Sequence, residues 1–383
     1  MKRTNLLILV DWYYPIGGTE VFILHLLKYL PEHCDITLGI AYFGQPELDL
    51  SMFPSKVTVV QIPHYNNGGV IRRLIREHHI DVVHCNQWAL TGLTSFWAAK
   101  KEGVPVVYTN HLLLPLLLHH QITWRRFFNP FVWWFYTFAC NQAAIATTPS
   151  QMVAQALKKH GAKTLPTVIS CGIDTKRFSP GNQQKARVAL NLPEKGPIVL
   201  SVGRLALEKH LDLLVKAWPQ ILTEHPEATL ILVGPAAQGA ANAQNQIIDL
   251  IESLGIAESV LCPGLIAQDG PELPEYYQAC DIFAMPSFFE AQSIVTLEAM
   301  ACGKPVIASN SSALPELVQE GINGSLFQPL NVDDLAIKLL ALLNSPEKMK
   351  KMGETSRELA LAHDLSKTAE KFLAVYQKAQ LKR

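Results

Sequence analysis

The chain has 383 residues, which is more than one hydrophobic core usually supports, so its length predicts two domains. Hydrophobic residues make up 49% of it and charged residues 17%, a balance that excludes a disordered chain or a coiled coil. The formal net charge of zero argues against a nucleic-acid binder that works by neutralising phosphates. The charge is uneven, because residues 1–180 contain 16 basic and 10 acidic side chains and residues 181–383 contain 17 and 23.

The cysteine pattern and the apolar segments indicate a cytoplasmic protein. Seven cysteines are scattered without a CxxC pair, as expected for reduced thiols rather than a disulfide framework or a zinc site. The apolar run 6–10 is too short for the core of a signal peptide and meets Asp11 at once. Prolines and polar residues interrupt the uncharged stretches 103–124 and 127–157, so we expect these to be buried or interfacial rather than membrane-spanning.

The first half alternates short β-rich runs with helical patterns. Strands are predicted at 6–10, 36–40, 57–62, 81–84, 104–109 and 144–147, and helices at 18–30, 69–79, 89–101 and 150–160. Such alternation predicts a mostly parallel sheet covered by helices on both faces.

A stretch rich in Pro, Gly and polar residues at 178–197 is interpreted as a linker, after which the alternation restarts. Strands are predicted at 198–202, 229–233, 259–261, 281–284, 305–308 and 325–327, and helices at 210–223, 244–254, 293–301, 314–320, 332–343 and 365–379. The prediction is an α/β protein with two tandem doubly wound, Rossmann-like domains at 1–180 and 181–365. We expect a ligand cleft between them and a final helix, 366–383, that packs back toward the first domain.

The first motif is the pair Gly17 and Gly18, which follows the first strand and opens a helix. Glycine lets a backbone approach a phosphate closely, and a helix N-terminus presents unpaired N–H groups. The motif lacks the GxGxxG spacing, which argues against a nicotinamide enzyme. A tight turn between strand and helix explains the glycines equally well.

The second motif places Arg204 and Lys209 at the exit of the second domain's first strand. An arginine can grip a diphosphate with two parallel hydrogen bonds, and a lysine adds a point charge. Elsewhere such a pair would be ordinary surface charge, but its position at a predicted cleft favours a bound diphosphate.

The third motif contains Glu290 in a loop after a strand and Glu298 inside the helix that starts near Ser293. The unpaired N–H groups of Ile294 and Val295 then suit an anion. Glu290 can bind sugar hydroxyls and Glu298 ribose hydroxyls. The alternative is an ordinary amphipathic helix with a solvated glutamate at each end.

These three motifs, in this order and at these distances, resemble family 4 glycosyltransferases of the GT-B fold. The likeness spans nearly the whole chain and is most specific where the two glutamates precede the run Ala-Met-Ala-Cys-Gly-Lys-Pro at 299–305. It implies transfer of a sugar from a nucleoside diphosphate donor with retention of anomeric configuration, by a hexosyltransferase that needs no metal or other cofactor. The sequence agrees with metal independence, since it contains no DxD motif.

The resemblance also implies residue roles. Arg204 and Lys209 match the diphosphate-binding pair, Glu290 the acidic residue beside the donor sugar, and Glu298 the ribose ligand. Gly17 and Gly18 match the amino-terminal glycine loop. His111, just after a first-domain strand, matches a histidine directed at the donor sugar, whereas a lone histidine is more often structural.

The acceptor predicted from the sequence is a lipid. The segment Glu-Ala-Gln-Ser-Ile at 290–294 resembles the subgroup that glycosylates diacylglycerol, although Ala291 and Ser293 stand where many members have glycines. Residues 124–138 contain nine of the chain's 32 aromatics, and a leucine-rich run precedes them. We therefore expect residues 112–138 to contact an anionic membrane surface, with the protein peripheral on the inner face of the cell membrane. A buried core segment is the alternative.

The best single interpretation is transfer of glucose from UDP-glucose to diacylglycerol. Three alternatives stay open: a soluble or glycan acceptor, as in cell-surface polysaccharide synthesis; a nucleotide-sugar epimerase; and a partner subunit that binds without turnover.

Overall fold

The computed structural model describes residues 3–13, 17–43, 48–63, 67–86, 90–111, 129–205, 209–235, 241–267 and 269–382. The strands of these residues are β1 Thr4–Tyr13, β2 Cys34–Phe43, β3 Val57–Gln61, β4 Val82–Cys85, β5 Val106–Thr109, β6 Ile145–Thr148, β7 Thr167–Val168, β8 Ile198–Val202, β9 Thr229–Val233, β10 Val260–Gly264, β11 Ile282–Met285, β12 Val306–Ser309 and β13 Gly324–Phe327.

The α-helices alternate with these strands and then close the chain. They are α1 Gly18–Tyr29, α2 Gly68–Glu77, α3 Leu90–Glu102, α4 Asn129–Gln142, α5 Gln151–Lys159, α6 Gln183–Ala189, α7 Leu211–Glu224, α8 Ala241–Ser253, α9 Glu272–Ala279, α10 Ile294–Ala301, α11 Val332–Leu343, α12 Pro346–Leu361 and α13 Leu365–Gln380. Within the described ranges, none of the helices is both long enough and apolar enough to cross a membrane.

The chain forms two compact units, residues 1–172 with 365–383 and residues 173–364. The first contains a seven-stranded sheet in the order β3-β2-β1-β4-β5-β6-β7, and the second a six-stranded sheet in the order β10-β9-β8-β11-β12-β13. All the pairings are parallel. The predicted fold class, two doubly wound Rossmann-like domains, is confirmed.

The unit boundaries differ from the predicted ones. The chain passes from the first unit to the second after Gly172, eight residues before position 180, and returns after Asp364. The predicted linker 178–197 is wrong, because it contains α6 and belongs to the second unit. Arg187 of α6 is buried, donates to Asp281 at 2.8 Å and donates to the carbonyl oxygen of Ala279 at 3.1 Å.

The sequence pattern also missed three helices. Proline and glycine inside α9 and α12 obscure their periodicity, and the aromatic run of α4 was described only as an apolar face. Conversely, the predicted helix 314–320 is a single 3₁₀ turn, Leu314–Glu316.

The period of the strands explains why both faces of the second sheet are covered. Along β8, Ile198, Leu200 and Val202 face one buried cluster, and Val199 faces the other. Successive side chains of a strand point to opposite faces, so a nearly wholly apolar run requires apolar partners on both sides. The one polar side chain of β8, Ser201, is buried as well. A sheet buried in this way leaves its strand ends as the places where side chains can meet a ligand.

The last helix, α13, is fixed to the first sheet by a buried hydrogen-bonded chain. Tyr376 lies 2.8 Å from Nδ1 of His84, whose Nε2 lies 2.7 Å from Oγ1 of Thr109, which in turn contacts Thr147 at 2.6 Å. Burial lowers the pKa of His84 to about 3, so its ring is neutral at neutral pH and needs one donor and one acceptor. The Phe372 ring packs 5.3 Å from the same imidazole.

We predict that Tyr376→Phe lowers the free energy of unfolding by about 1–3 kcal/mol, because a buried nitrogen of His84 loses its partner. Urea unfolding followed by tryptophan fluorescence would measure this. Lys378→Ala, at an exposed position of α13, is the matched control and should change it by less than about 0.5 kcal/mol. Equal stability of the two variants would show that the hydrogen-bonded chain does not hold the helix.

Candidate active site

Each sheet reverses its strand order beside its first strand, between β1 and β4 in the first unit and between β8 and β11 in the second. The loops that leave such neighbouring strands in opposite directions open a crevice at the carboxyl edge, where ligands bind in doubly wound folds. The predicted site residues follow β1 and β5 in the first unit and β8 and β11 in the second. Each unit thus carries its own group of predicted site residues at the carboxyl edge of its sheet.

Gly17 caps the N-terminus of α1, as predicted, but its amide is already bonded. Glu20 Oε2 accepts a hydrogen bond from Gly17 N at 3.0 Å, and the Glu20 side chain is buried. Gly18 is exposed, and a Cβ atom there would meet nothing within 4 Å. The amide of Gly17 therefore already has its acceptor within the helix cap. This contact argues against the expectation that both glycines let the backbone approach a phosphate closely.

His111 lies beyond the end of β5 and is held by two neighbours. Its Nε2 is 3.2 Å from Oδ1 of Asn86, which follows β4, and its ring packs 4.6 Å from Phe22 of α1. Burial lowers the pKa of His111 to about 3, so the ring is neutral at neutral pH. A neutral imidazole bonded through Nε2–H to an amide oxygen keeps Nδ1 as an acceptor, which suits a sugar hydroxyl.

In the second unit, β8 delivers Arg204 and Lys209 on one loop. The Arg204 side chain is exposed, and the Lys209 side chain is half-buried. Gly234, after β9, has a φ of 151°, and a Cβ atom on it would lie 1.9 Å from the carbonyl oxygen of Gly203. Glycine at 234 is thus required for the close passage of the loop that carries the two cations.

Lys209 and Glu290 are brought together. Lys209 Nζ donates to Glu290 Oε1 at 2.5 Å, with only 18% and 11% of the two side chains exposed. The next residue, His210, packs edge-on against Phe288 at 6.2 Å, so the loops after β8 and β11 meet at two consecutive positions. In this partly buried setting an ion pair fixes the lysine far better than an exposed pair would.

A serine that the sequence did not single out clamps the Glu290 backbone. Ser312 Oγ accepts from the Glu290 amide at 2.9 Å and donates to the Glu290 carbonyl oxygen. Ser312 has a φ of 57°, a conformation that is uncommon for a non-glycine residue. Ala313 N adds a bond to the same carbonyl at 3.2 Å. The loop after β12 therefore sets where the Glu290 carboxylate lies.

The helix predicted to offer anion-binding amides begins where expected. Ser293 caps α10 by accepting from Thr296 N, and Ile294 and Val295 are its first two residues, whose amides have no earlier carbonyl in the helix. Glu298 lies one turn farther in and is fully buried, with Oε2 accepting from the Tyr277 hydroxyl at 2.6 Å. Burial and this carboxylate raise the pKa of Tyr277 well above its usual value, so Tyr277 remains a donor.

Sequence reasoning missed Asn86, Ser312 and Tyr277. The first two follow strand ends, so the rule that found His111 and Glu290 would have found them as well. Tyr277 lies inside α9, away from any strand end, and carries no such signal. The predicted residues 112–128 of the acceptor segment, the turn residues 14–16 and the loop residues 206–208 lie outside the described residues.

The two units together have the architecture of the GT-B fold, and two family models match the chain. The model described as Glycosyltransferase Family 4 matches residues 16–177, and that of Glycosyl transferases group 1 matches residues 182–359. A D-inositol 3-phosphate glycosyltransferase of Rhodococcus jostii is 30% identical over 330 residues, which cover 82% of this chain and 70% of the relative. The chain belongs to the family 4 glycosyltransferases.

Other relatives and solved structures have the same extent. The enzyme of the same name from Kribbella flavida is 26% identical and covers 95% of this chain and 91% of its own. Sucrose-phosphate synthase of Thermosynechococcus elongatus matches 100% of both chains with a TM-score of 0.85 and 21% identity. Anabaena HepE, solved with UDP-glucose, matches 98% of this chain and 100% of its own, with a TM-score of 0.82 and 22% identity. None of the relatives and structures named here is called a diacylglycerol glycosyltransferase.

We predict that Lys209→Met and Glu290→Gln each lower the rate constant of sugar transfer by about 100-fold or more, as for the loss of one preorganised charge at a developing anion. The double variant should be hardly worse than the single ones, because the two residues act as one unit. Single-turnover kinetics with circular dichroism as a folding check would measure this.

The matched control is Lys216→Met, which breaks the exposed Lys216–Asp212 pair on α7. It should leave the rate unchanged. Rates near wild type in both Lys209→Met and Glu290→Gln would refute the assignment of the second-unit site.

We predict that Asn86→Ala lowers the rate about 10- to 100-fold, because His111 loses the partner that orients it. Burial is what lowers the pKa of His111, so a ring freed to turn toward water should have a pKa that rises from about 3 toward the ordinary value of about 6.5. The variant would then lose further activity as the pH falls through 6.5, where the wild type keeps a neutral His111. Asn141→Ala, which removes hydrogen bonds to Gly161 and Lys163, is the control. An Asn86→Ala pH–rate profile that matches the wild type would contradict a positioning role.

Proposed function

We propose that this protein transfers a hexose from a nucleoside diphosphate sugar, with UDP-glucose as the first candidate, to a hydroxyl of a membrane lipid such as diacylglycerol. The transfer would proceed with retention of anomeric configuration. The observation that carries the donor part is the Lys209–Glu290 pair at the crevice edge of the second sheet, beside the first turn of α10.

The second-unit residues fit the chemistry of a diphosphate leaving group. As the anomeric C–O bond breaks, negative charge grows on the diphosphate, and Arg204, Lys209 and the amides of Ile294 and Val295 would stabilise it. Glu290, held by Ser312 and Lys209, is placed to accept hydrogen bonds from donor-sugar hydroxyls. Glu298 would bind ribose hydroxyls, which requires its buried carboxylate to become accessible beside Tyr277.

The first-unit residues fit recognition of the sugar rather than proton transfer. With a pKa lowered to about 3, His111 is a poor base near pH 7 but a good hydrogen-bond acceptor at Nδ1. The departing phosphate oxygen would take the proton from the attacking acceptor hydroxyl on the same face of the sugar. This route needs no protein base and gives retention.

We also propose that the transfer is independent of a metal ion. Arg204, Lys209 and the α10 terminus would supply the positive potential that a divalent cation supplies in other transferases. The nucleotide sugar is a substrate, and no other cofactor is part of the proposal.

The lipid acceptor is supported by an outward aromatic face on α4, where Phe131 and Trp134 are 62% and 55% exposed. A second candidate is a soluble phosphorylated polyol, because several relatives are named D-inositol 3-phosphate glycosyltransferases. A glycosylated lipid is extracted into the organic phase and a glycosylated polyol phosphate stays in water, so one extraction assay separates the two acceptors.

The test is incubation of the protein with labelled UDP- or GDP-sugars and one of two acceptors, diacylglycerol in mixed micelles or inositol 3-phosphate. Each reaction is run both with and without EDTA. We expect label from UDP-glucose in the organic phase and equal rates with and without EDTA. A rate that collapses in EDTA and returns with a divalent cation would refute metal independence.

Label in the polyol phosphate alone would replace the lipid acceptor by the soluble one and keep the donor site. Interconversion of the nucleotide sugar without acceptor, and without free nucleotide, would instead indicate an epimerase. The absence of turnover with every donor would reject an enzyme of this class.

A further inference from the structure

Helix α4 presents aromatic side chains on both of its faces. Its inner face packs into the first unit, with Trp133 stacked on His160 at 3.8 Å and Tyr136 fully buried. Asn141, near its end, bonds to Gly161 at 3.1 Å and Lys163 at 2.7 Å. These contacts fix the rotation of the helix, so the residues on its outer face are placed there by packing.

The outer face of α4 is apolar where a water-facing helix would be polar. Phe131 and Trp134 lie 5.9 Å apart with their rings inclined by 27°, and Trp134 lies 5.4 Å from Phe138 at 29°. No residue of α4 is charged. Of the predicted apolar face, Phe131 and Trp134 are therefore outward, with Phe135 and Phe138 partly buried beside them. Within residues 129–138, the buried-core alternative is wrong at Phe131 and Trp134.

The neighbouring helix α3 extends the apolar surface. Leu93 and Trp97 are 44% and 48% exposed, and α3 packs beside α4. A groove of about 820 Å³ runs between the helices, lined by Phe96, Trp97 and Phe138 and also by Lys100 and Lys382. We call the surface of Leu93, Trp97, Phe131 and Trp134 the α3–α4 face.

Basic side chains lie beside this face, at the end of α3 and on α2. Lys100 and Lys101 are exposed at the end of α3, and the one acidic residue of that helix, Glu102, is bonded to Arg72 and Arg76 at 2.8 Å each. The Arg72 guanidinium also lies 5.4 Å above the Trp97 ring. The first unit as a whole contains 19 Lys and Arg against 10 Asp and Glu, whereas the second contains 14 against 23.

The topology brings one end of the face toward His111. Helices α3 and α4 each run from the carboxyl edge of one strand toward the amino edge of the next, since α3 precedes β5 and α4 precedes β6. Leu93 and Phe131, near the helix starts, therefore lie toward the carboxyl edge of the sheet, where β5 ends before His111. A surface bound along this face would lie next to the crevice edge of the first unit.

We infer that the α3–α4 face docks the protein on an anionic phospholipid membrane. Tryptophan and phenylalanine at the level of lipid headgroups, with lysines beside them, are the composition of interfacial surfaces. The net charge of +9 on this unit matches an anionic leaflet, and a lysine near such a surface raises affinity about fivefold. The inference deepens the proposed function and rests on its lipid acceptor.

The test is flotation of the full chain with two kinds of vesicle, phosphatidylcholine alone and phosphatidylcholine with about one-third phosphatidylglycerol. We expect strong binding to the anionic vesicles and weak binding to the neutral ones. The variant Trp97→Ser with Trp134→Ser should lower the partition coefficient about tenfold or more. Ile337→Ser, at a 61%-exposed position of α11 in the acidic second unit, is the control and should bind like the wild type.

Lysine variants separate the electrostatic part from the apolar part. Lys100→Gln with Lys101→Gln should weaken binding to the anionic vesicles by about tenfold or more and leave binding to the neutral ones unchanged. Anionic-vesicle binding that is the same in the tryptophan variant, with folding intact, would overturn the inference. A concentration-dependent dimer that this variant abolishes, in a protein that binds neither vesicle, would also overturn it by assigning the face to a second copy of the chain.

The inference and the proposed function fail separately. Loss of vesicle binding in the tryptophan variant, with hydrolysis of the nucleotide sugar unchanged, supports docking apart from the donor site. Vesicle binding by a protein that labels only a soluble acceptor would refute the lipid acceptor and still support docking.

Discussion

The burial of two all-parallel sheets on both faces is the constraint on which the candidate site depends. Strands such as β4, β5, β8 and β11 are wholly buried. Polar side chains inside them, such as His84 and Thr109, are paired within the protein, so the groups that can meet a ligand are on the loops that leave the strands. Where the strand order reverses, those loops diverge and leave room for a ligand. Asn86, His111, Lys209 and Glu290 all stand just beyond such strand ends, and their chemistry follows from that position.

The Lys209–Glu290 pair shows how the same site can be stable without a ligand and attractive to one. A partly buried lysine without a partner would lose hydration that nothing replaces, and a lone glutamate would repel a diphosphate. Paired at 2.5 Å, each satisfies the other, and Ser312 holds the glutamate from the far side. In the proposed function a diphosphate would share Lys209, and Glu290 would turn its second oxygen toward sugar hydroxyls.

Much of the fold was predictable from the sequence because apolar runs of four to ten residues mark buried strands with little ambiguity. Helix α6 was not, since what makes it structural is the distant pairing of Arg187 with Asp281, a contact that local composition cannot reveal. The same holds in the candidate site: Glu290 and His111 were predicted from strand-end position and the family resemblance, whereas Tyr277 acts through Glu298, 21 residues away in sequence. The strand-end position of Ser312 is visible in the sequence, but its bonds to the Glu290 backbone, 22 residues away, are not. The occupied amide of Gly17 was equally hidden, because it depends on which way Glu20 turns.

The opposite charges of the two units raise an apparent conflict, since the acidic second unit carries the residues assigned to an anionic donor. Screening by salt removes this conflict. At physiological ionic strength the screening length is about 8 Å, so the electrostatic potential at a bound nucleotide would come mainly from the charged groups that contact it. Arg204, Lys209 and the α10 amides would lie within that range of a nucleotide bound at the crevice edge of the second sheet, whereas acidic side chains such as Glu224, Asp249 and Glu252 are exposed on α7 and α8. A membrane, by contrast, is large and sums charge over a whole face. In the proposed docking, the net charge of a unit would therefore decide which unit meets an anionic surface, and in the proposed function the local arrangement of cations and amides would decide which unit binds the anionic donor.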